Sequence, residues 1–244
     1  MNIQSVAVFC GSKTGNNPVF AQHAKELGKL IAMLKLKLVY GGASKGLMGI
    51  LADSVLAHEG QIMGIIPEVL IEWEHQHKGL TELAIVPDMH VRKKMIFDRS
   101  DAAIVLPGGY GTLDEFFETI TLVQTLKVEA FPIILYGRKF WSGLRDWMQE
   151  QLLSKYIDEE DLEIFHIVDS PQDVAKQVVA GVKKHWWAPI DDALKKAAPM
   201  TPVMIPGGPV TGAKSQDTGE GTRYGRRAKR STKKVAAQSR KPQQ

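Results

Sequence analysis

The sequence predicts an α/β protein built on a doubly wound parallel sheet, and two observations carry this prediction. Short apolar runs alternate along the chain with segments whose apolar residues recur every three or four positions, the pattern of strands alternating with helices. Three of the predicted strands end in glycine-containing turns, at Gly11, Gly41 and Gly108. Parallel strands present their carboxyl ends at one edge of the sheet, where such folds bind ligands. We therefore expect a Rossmann-like single domain with a nucleotide-sized site at that edge.

The individual elements follow from hydrophobic periodicity and from the residues that interrupt it. Strands are predicted where β-rich apolar runs lie between turn residues, at 6–10, 36–40, 61–66, 83–86, 102–106, 133–136 and 164–168. Helices are predicted at 20–34, 47–57, 91–99, 113–123 and 140–153. A last helix opens at Ser170-Pro171, with an N-cap serine and a proline at the first helical position.

The most distinctive stretch runs from residue 101 to residue 126. Its apolar strand leads through Pro107 into Gly-Gly-Tyr-Gly-Thr and then into a helix. Glycines let the backbone approach a ligand, and the first amides of a helix have no internal partner. Together with the helix dipole these amides predict an anion site, with phosphate as the natural ligand. Thr112-x-x-Glu115 is equally a capping box, in which both side chains only satisfy helix-terminal amides.

A second candidate for anion binding is the basic helix start His-Val-Arg-Lys-Lys at residues 90–94. Arginine can bind two phosphate oxygens at once, so the pair Arg92 and Lys93 could neutralise a phosphate. The alternative is a solvated helix face, which most runs of charge are. The three glycine turns favour the ligand-binding interpretation.

The glycine turn at residues 108–112 has neither of the two common nucleotide-binding motifs. It has no third glycine of the dinucleotide fingerprint and no Gly-Lys-Ser/Thr ending of a P-loop. His75-x-His77 has no third ligand at metal-like spacing, so we expect no metal.

The composition of the chain indicates in which cellular compartment the protein works. The sequence contains no run of about 18 apolar residues, the length needed to span a membrane, and no secretory signal is apparent. The single cysteine, Cys10, excludes an internal disulfide and suits a reducing cytoplasm. Because Cys10 ends an apolar run, we expect it to be a buried small hydrophobe.

The basic charge of the chain is concentrated at its end. Residues 213–244 hold ten lysines and arginines against two acids, a local charge of +8, which leaves 21 basic and 25 acidic residues, or −4, for the rest. Prolines interrupt any regular element from residue 188 onward. We predict one domain at 1–187 and a proline-rich, then basic, disordered tail at 188–244. The alternative is nucleic-acid contact by the basic tail, but a solvated tail is favoured.

Residues 88–93, Asp-Met-His-Val-Arg-Lys, followed by residues 107–115, Pro-Gly-Gly-Tyr-Gly-Thr-Leu-Asp-Glu, resemble the LOG ("Lonely Guy") family. Its members are cytokinin riboside 5'-monophosphate phosphoribohydrolases, and many bacterial relatives act as AMP nucleosidases. The resemblance covers about residues 6–183. It implies a homodimer and no cofactor.

The resemblance also implies roles for individual residues. Arg92 and Glu115 match the family's catalytic arginine and glutamate. The implied substrate contacts, with Ser12 as a weaker addition, are Glu74, Arg92, Lys93, Gly109, Tyr110, Gly111, Thr112, Leu113, Asp114, Glu115 and Thr121.

We therefore predict a hydrolase that cleaves the N-glycosidic bond of purine nucleoside 5'-monophosphates to free base and ribose 5-phosphate. Whether the base is adenine or an N6-prenylated adenine stays open. The alternative is a protein that binds a nucleotide or phosphorylated cofactor without cleaving it, similar to molybdenum-cofactor carriers. The label "lysine decarboxylase", which family members carry, is rejected because no lysine stands out as a Schiff-base partner.

Overall fold

Within the residues that the structure describes, seven parallel strands form one sheet. The structure is a computed structural model and describes residues 3–71 and 75–181. The strands are β1 (Ser5–Phe9), β2 (Lys37–Tyr40), β3 (Gln61–Pro67), β4 (Glu82–Val86), β5 (Ala103–Val105), β6 (Ile133–Tyr136) and β7 (His166–Val168). Their spatial order is β4-β3-β2-β1-β5-β6-β7.

Helices follow the strands and cover the sheet. They are α1 (Val19–Met33), α2 (Gly46–Ala57), α3 (Met89–Asp98), α4 (Tyr110–Gln124), α5 (Arg138–Gln151) and α6 (Pro171–Ala180). Every strand and helix of the sequence prediction within these residues is confirmed, with ends that differ by at most three residues. The Ser170 cap is confirmed too, because its hydroxyl oxygen accepts a hydrogen bond from the Asp173 amide at 3.1 Å.

Two apolar cores lie on the two faces of the sheet, as a doubly wound fold requires. One core joins α1, α2 and α6 to the sheet through residues such as Leu27, Leu51 and Val174. The other joins α3, α4 and α5 through residues such as Ile96, Phe116 and Trp141. These side chains are almost fully buried, and the predicted doubly wound α/β architecture is confirmed.

The strand order reverses between β1 and β5, which positions the site. β1 pairs with β2 on one side and with β5 on the other, in register Val6↔Leu38 and Val8↔Ile104. The chain runs outward from β1 through β4 and then returns to begin the other half of the sheet at β5. Such a switch point leaves a crevice beyond the carboxyl ends of the two strands.

The predictions for the chain end fall outside this description. The boundary at 187/188 and the tail at 188–244 lie beyond residue 181 and stay predictions. Among the helices of the described residues, none has the length and apolar character needed to cross a bilayer.

Candidate active site

The three glycine turns predicted to share one edge of the sheet meet at the switch point. The Gly11 amide, after β1, donates to the carbonyl oxygen of Pro107, after β5, at 3.1 Å. The Leu47 amide, at the start of α2, donates to the carbonyl oxygen of Gly11 at 3.1 Å. These bonds join the segments after β1, β2 and β5 into one surface, so the predicted convergence is confirmed.

Helix α4 begins at the glycine turn with exposed backbone donors. Gly109 is its N-cap and has no side-chain capping bond, and Tyr110 is the first helical residue. Thr112 is therefore the third residue of the helix, not its cap, so the capping-box interpretation of Thr112 and Glu115 is wrong. A Cβ added at Gly109 or Gly111 would meet nothing within 4 Å. The two glycine positions are thus open, and the first amides of α4 have no intrahelical partner at the positive end of the helix dipole.

Arg92 extends from the first turn of α3, which is anchored by a side-chain cap. The Asp88 carboxylate accepts from the amides of His90 and Val91 at 2.8 and 2.9 Å. The Arg92 side chain is buried, with 5% of the residue exposed. Its guanidinium packs so closely on Gly41 that an added Cβ there would lie 2.0 Å from Nη2, and its Nη1 lies 3.5 Å from the Met89 sulfur.

Arginine, glutamate and the α4 amino terminus meet in one cavity of about 250 Å³, which we call the main cavity. It lies over the carboxyl ends of β1 and β5. Seven of the site residues that the family resemblance implies line it: Ser12, Arg92, Gly109, Tyr110, Gly111, Thr112 and Glu115.

The electrostatics of the cavity floor show where Glu115 lies. Cys10 also lines the main cavity and is 7% exposed, as its predicted role of a buried small hydrophobe requires. Burial raises the pKa of the Cys10 thiol, and the negative charge of Glu115 raises it further. The charge of Glu115 is therefore felt at the Cys10 thiol, and Glu115, Arg92 and the α4 terminus line the same cavity.

Comparison with known proteins identifies the family. Residues 48–178 match the model of a family described as "Possible lysine decarboxylase". The chain is 50% identical over 155 residues to a cytokinin riboside 5'-monophosphate phosphoribohydrolase of Rhodococcoides fascians, covering 63% of this chain and 78% of that protein. It is 37% identical over 171 residues to a probable enzyme of the same name from Oryza sativa subsp. japonica, covering 69% of this chain and 73% of that protein. The chain belongs to the LOG family.

Solved structures show the same fold at greater distance. A molybdenum cofactor binding protein from Rippkaea orientalis superposes with a TM-score of 0.55 at 20% identity. The match covers 74% of this chain and 98% of that one. At this identity the likeness concerns the fold alone.

Four residues that the LOG resemblance assigns to the substrate do not line the main cavity. Lys93 is ion-paired to Asp114 and Glu118 on α4. Leu113 packs against the core between α3, α4 and α5. Thr121 is exposed, and its hydroxyl donates to the Phe117 carbonyl oxygen at 2.7 Å. Lys93, Leu113, Asp114 and Thr121 stay predictions, as does Glu74, which lies outside the described residues.

Besides Val8 and Phe9 of β1, three apolar side chains of the main cavity were not predicted as site residues: Met48, Leu70 and Met89. Met48 lies in the first turn of α2, and Leu70 lies in a short 3-10 turn after β3. Apolar residues give no chemical signal in a sequence, and only the crossing of β3, α2 and α3 near the switch point brings these three to the cavity.

A Gly-x-Ser-x-Gly sequence at residues 42–46 has the pattern of a hydrolase nucleophile elbow. Its Ser44 is exposed and does not line the main cavity. The Ser44 hydroxyl instead donates to the carbonyl oxygen of His75 at 2.6 Å. The motif therefore serves to hold the β2–α2 turn against residue 75.

Proposed function

We propose that this protein is a phosphoribohydrolase that cleaves the N-glycosidic bond of a purine nucleoside 5'-monophosphate, giving free base and ribose 5-phosphate. The observation that carries the proposal is the meeting of a buried arginine, a glutamate and an uncapped helix amino terminus in one cavity. Relatives at 50% and 37% identity that carry the name of this activity support it.

The 5'-phosphate binds at the amino terminus of α4. Gly109, Tyr110, Gly111 and Thr112 present consecutive amides there, and the helix dipole favours negative charge. The open space in front of Gly109 and Gly111 lets the backbone approach the phosphate oxygens without a side chain between them.

Glu115 acts on the ribose. Breaking the glycosidic bond builds positive charge on the sugar ring, as in glycoside hydrolysis. A carboxylate one helical turn beyond the phosphate-binding amides stabilises that charge and orients or deprotonates the attacking water. The water oxygen forms the new bond to the anomeric carbon, and the base leaves with the electrons of the broken C–N bond and takes up a proton.

Arg92 aligns the substrate for that reaction. Its guanidinium is held in a fixed place by burial and by its packing against Gly41. A fixed cation at the cavity wall grips the phosphate or ribose and reduces the entropy that must be lost to reach the reacting geometry. No metal or organic cofactor enters this mechanism.

A carrier function is the second candidate, favoured by the fold shared with the Rippkaea orientalis protein. A carrier needs the phosphate-binding turn but no carboxylate beside the anomeric carbon. The position of Glu115 in the main cavity favours the hydrolase. Decarboxylation through a lysine Schiff base receives no support, because the described residues that line this cavity include no lysine.

We propose that the working form is a homodimer in the cytoplasm. Apolar side chains are exposed around the edge strand β4: Val69, Leu83, Ile85, Met89 and Val91. Ile85 is 53% exposed on an edge strand that could otherwise template aggregation, and a second copy would cover it. Light scattering after gel filtration tests this: the native protein should have twice the chain mass, and Ile85→Lys should shift it to the monomer.

Chromatography of reaction mixtures tests the function. Wild-type protein should release base from AMP and from isopentenyladenosine monophosphate, but not from adenosine, which lacks the phosphate. Arg92→Ala should lower the rate by about 100-fold or more if alignment is lost. Nucleotide binding without release of base from either nucleotide would favour the carrier, and the ratio of the two rates would assign the preferred base.

A further inference from the structure

At the main cavity there are two pairs of consecutive residues, and in each pair only one member lines the cavity. Arg92 and Lys93 are neighbours on α3, and Asp114 and Glu115 are neighbours on α4. Arg92 and Glu115 line the cavity, whereas Lys93 and Asp114 do not. Consecutive helical residues point about 100° apart, because a helix has about 3.6 residues per turn. Each helix thus turns one member of its pair to the cavity and leaves the other beside it.

The members beside the cavity join the two helices. Lys93 Nζ lies 2.6 Å from Glu118 Oε2 and 3.0 Å from Asp114 Oδ2. Asp114 and Glu118 are four residues apart and therefore on the same face of α4. The Lys93 side chain is only 11% exposed. One ammonium group therefore connects the first turns of α3 to two successive turns of α4; we call this cluster the α3–α4 bridge.

The charge of the α3–α4 bridge does not suit a phosphate contact. One ammonium and two carboxylates give a formal charge of −1, which repels an anion. Burial alone would lower the pKa of Lys93, but hydrogen bonds and charges from Glu118 and Asp114 more than offset it, so that the pKa is raised. Lys93 is held as a cation by these two acids: its ammonium group donates a hydrogen bond to Asp114 Oδ2 and is ion-paired with Glu118 Oε2.

We propose that Lys93, Asp114 and Glu118 are positioning residues, which set the separation of Arg92 and Glu115 across the main cavity. This inference rests on the proposed function and revises the substrate contact that the family resemblance implied for Lys93 and Asp114. The two reacting side chains stand on helices separated in sequence by β5, and the bridge links those helices beside the residues that must act together.

The bridge should matter more for rate than for stability. Ion pairs of partly exposed side chains contribute little to folding, and Asp114 and Glu118 are 57% and 34% exposed. A misplacement of about 1 Å in a catalytic site can cost about 100-fold in rate. Glu118 Oε2 itself is buried, so the double variant, which removes the charges of Lys93 and Glu118 together, should lower kcat while its melting temperature stays close to that of the wild type.

A double-mutant cycle tests the inference. The proteins are wild type, Lys93→Met, Glu118→Gln and the double variant, with Lys93→Arg as the conservative replacement. Lys94→Met is the matched control, because Lys94 is 75% exposed and pairs with Asp98 on its own helix. Lys93→Met should lower kcat for AMP about tenfold, Glu118→Gln should lower it in the same direction, and the double variant should be no worse than Lys93→Met. Lys93→Arg should recover most of the rate, and Lys94→Met should match wild type.

Competition by inorganic phosphate separates positioning from phosphate binding. Its inhibition constant in Lys93→Met should stay within about twofold of the wild-type value, since the bridge donates nothing to the phosphate. The inference is overturned if this inhibition constant rises tenfold or more and Glu118→Gln keeps the wild-type kcat. It is also overturned if the constant rises as much and the losses in the cycle are additive. Either result would assign Lys93 to the substrate. An unchanged kcat in Lys93→Met would overturn the inference as well.

The proposed function can fail independently. A wild-type protein that binds AMP but releases no base would end the hydrolase proposal. The same cycle is then measured on AMP affinity by calorimetry. Losses that do not add would keep Lys93 and Glu118 as one positioning unit, and losses that add would exclude it.

Discussion

At the scale of single residues, the site depends on where side chains are missing. Gly41 leaves room for the Arg92 guanidinium, and Gly108 leaves room for Thr112, whose Oγ1 would lie 2.0 Å from an added Cβ. Gly109 and Gly111 leave open space in front of α4. The same residue type therefore packs against side chains at two positions and admits a ligand at two others. The sequence patterns located both glycine turns, but they could not show which glycines make room for a side chain and which make room for a ligand.

Gly41→Ala should remove activity by displacing Arg92. The added methyl would occupy the place of Nη2, so the guanidinium must move, and base release should fall by about 100-fold. Gly143→Ala is the control, because nothing lies within 4 Å of its added Cβ in α5. It should keep full activity and gain about 0.5–1 kcal/mol of stability. Wild-type activity in Gly41→Ala would mean that the position of Arg92 is unimportant.

Cys10 should react very slowly in the native protein. Burial and the nearby Glu115 charge raise the pKa of its thiol, so the thiolate that attacks alkylating reagents is scarce at pH 8. Iodoacetamide labelling followed by mass spectrometry should find Cys10 unmodified in the folded protein and fully modified in urea. Glu115→Gln removes one cause of the raised pKa and should speed the native reaction. Native labelling at the rate of a free thiol would contradict this description of the cavity floor.

At the scale of elements, α4 shows what sequence periodicity can locate. Its predicted start at residue 113 was set by Leu113, the first member of the apolar repeat. The helix begins three residues earlier, at Tyr110. Tyr110, Gly111 and Thr112 do not belong to the apolar repeat, yet they line the main cavity. The functional first turn of the helix is therefore the part that periodicity misses.

Gly111→Ala should separate helix stability from ligand binding. Alanine favours a helix, and its Cβ meets no protein atom, so the folded state should be at least as stable as the wild type. The methyl enters the space that a phosphate would occupy, and AMP affinity should fall about tenfold or more, since phosphate turns need close backbone approach. Calorimetry of AMP binding and thermal denaturation measure both effects. Unchanged affinity would argue that the phosphate binds elsewhere.

Asp101 should stabilise the central strands without affecting catalysis. Its Oδ2 accepts from the amides of Gln4 and Ser5 and from the Ser5 hydroxyl, each at 2.9 Å, and so ties the start of β1 to the segment before β5. Asp101→Ala should lower the free energy of unfolding by about 1–3 kcal/mol. The control Asp98→Ala loses only an exposed pair with Lys94 and should lose under about 0.5 kcal/mol. Equal losses in urea denaturation would contradict this assignment.

At the scale of the whole molecule, the fold class was predictable and the strand order was not. Alternating strands and helices imply a parallel sheet, but which strands become neighbours is decided by packing between distant segments. The same limit applies to the site. Arg92 and Glu115 were singled out by local patterns and given catalytic roles by the family resemblance, whereas the Lys93 bridge to Glu118 depends on how two helices lie side by side. That arrangement leaves no trace in local sequence.

The chain end allows a prediction for the molecule as a whole. If residues 1–187 are the complete domain, a protein that ends at residue 187 should release base at the full-length rate. The removed segment carries the local charge of +8. Any nucleic-acid affinity of the full-length protein should fall steeply with salt and vanish in the truncated one. Gel-shift titrations at two salt concentrations measure this, and a truncated protein without activity would place part of the catalytic unit in the tail.

The central claim is that Glu115 acts on the reacting bond and does not serve as a helix cap or a binding group. The most direct test is Glu115→Gln, with base release measured at saturating AMP and AMP affinity measured by calorimetry. The claim predicts that kcat falls about 100- to 10,000-fold while AMP affinity and the melting temperature stay near wild-type values. Base release near the wild-type rate in Glu115→Gln would contradict it.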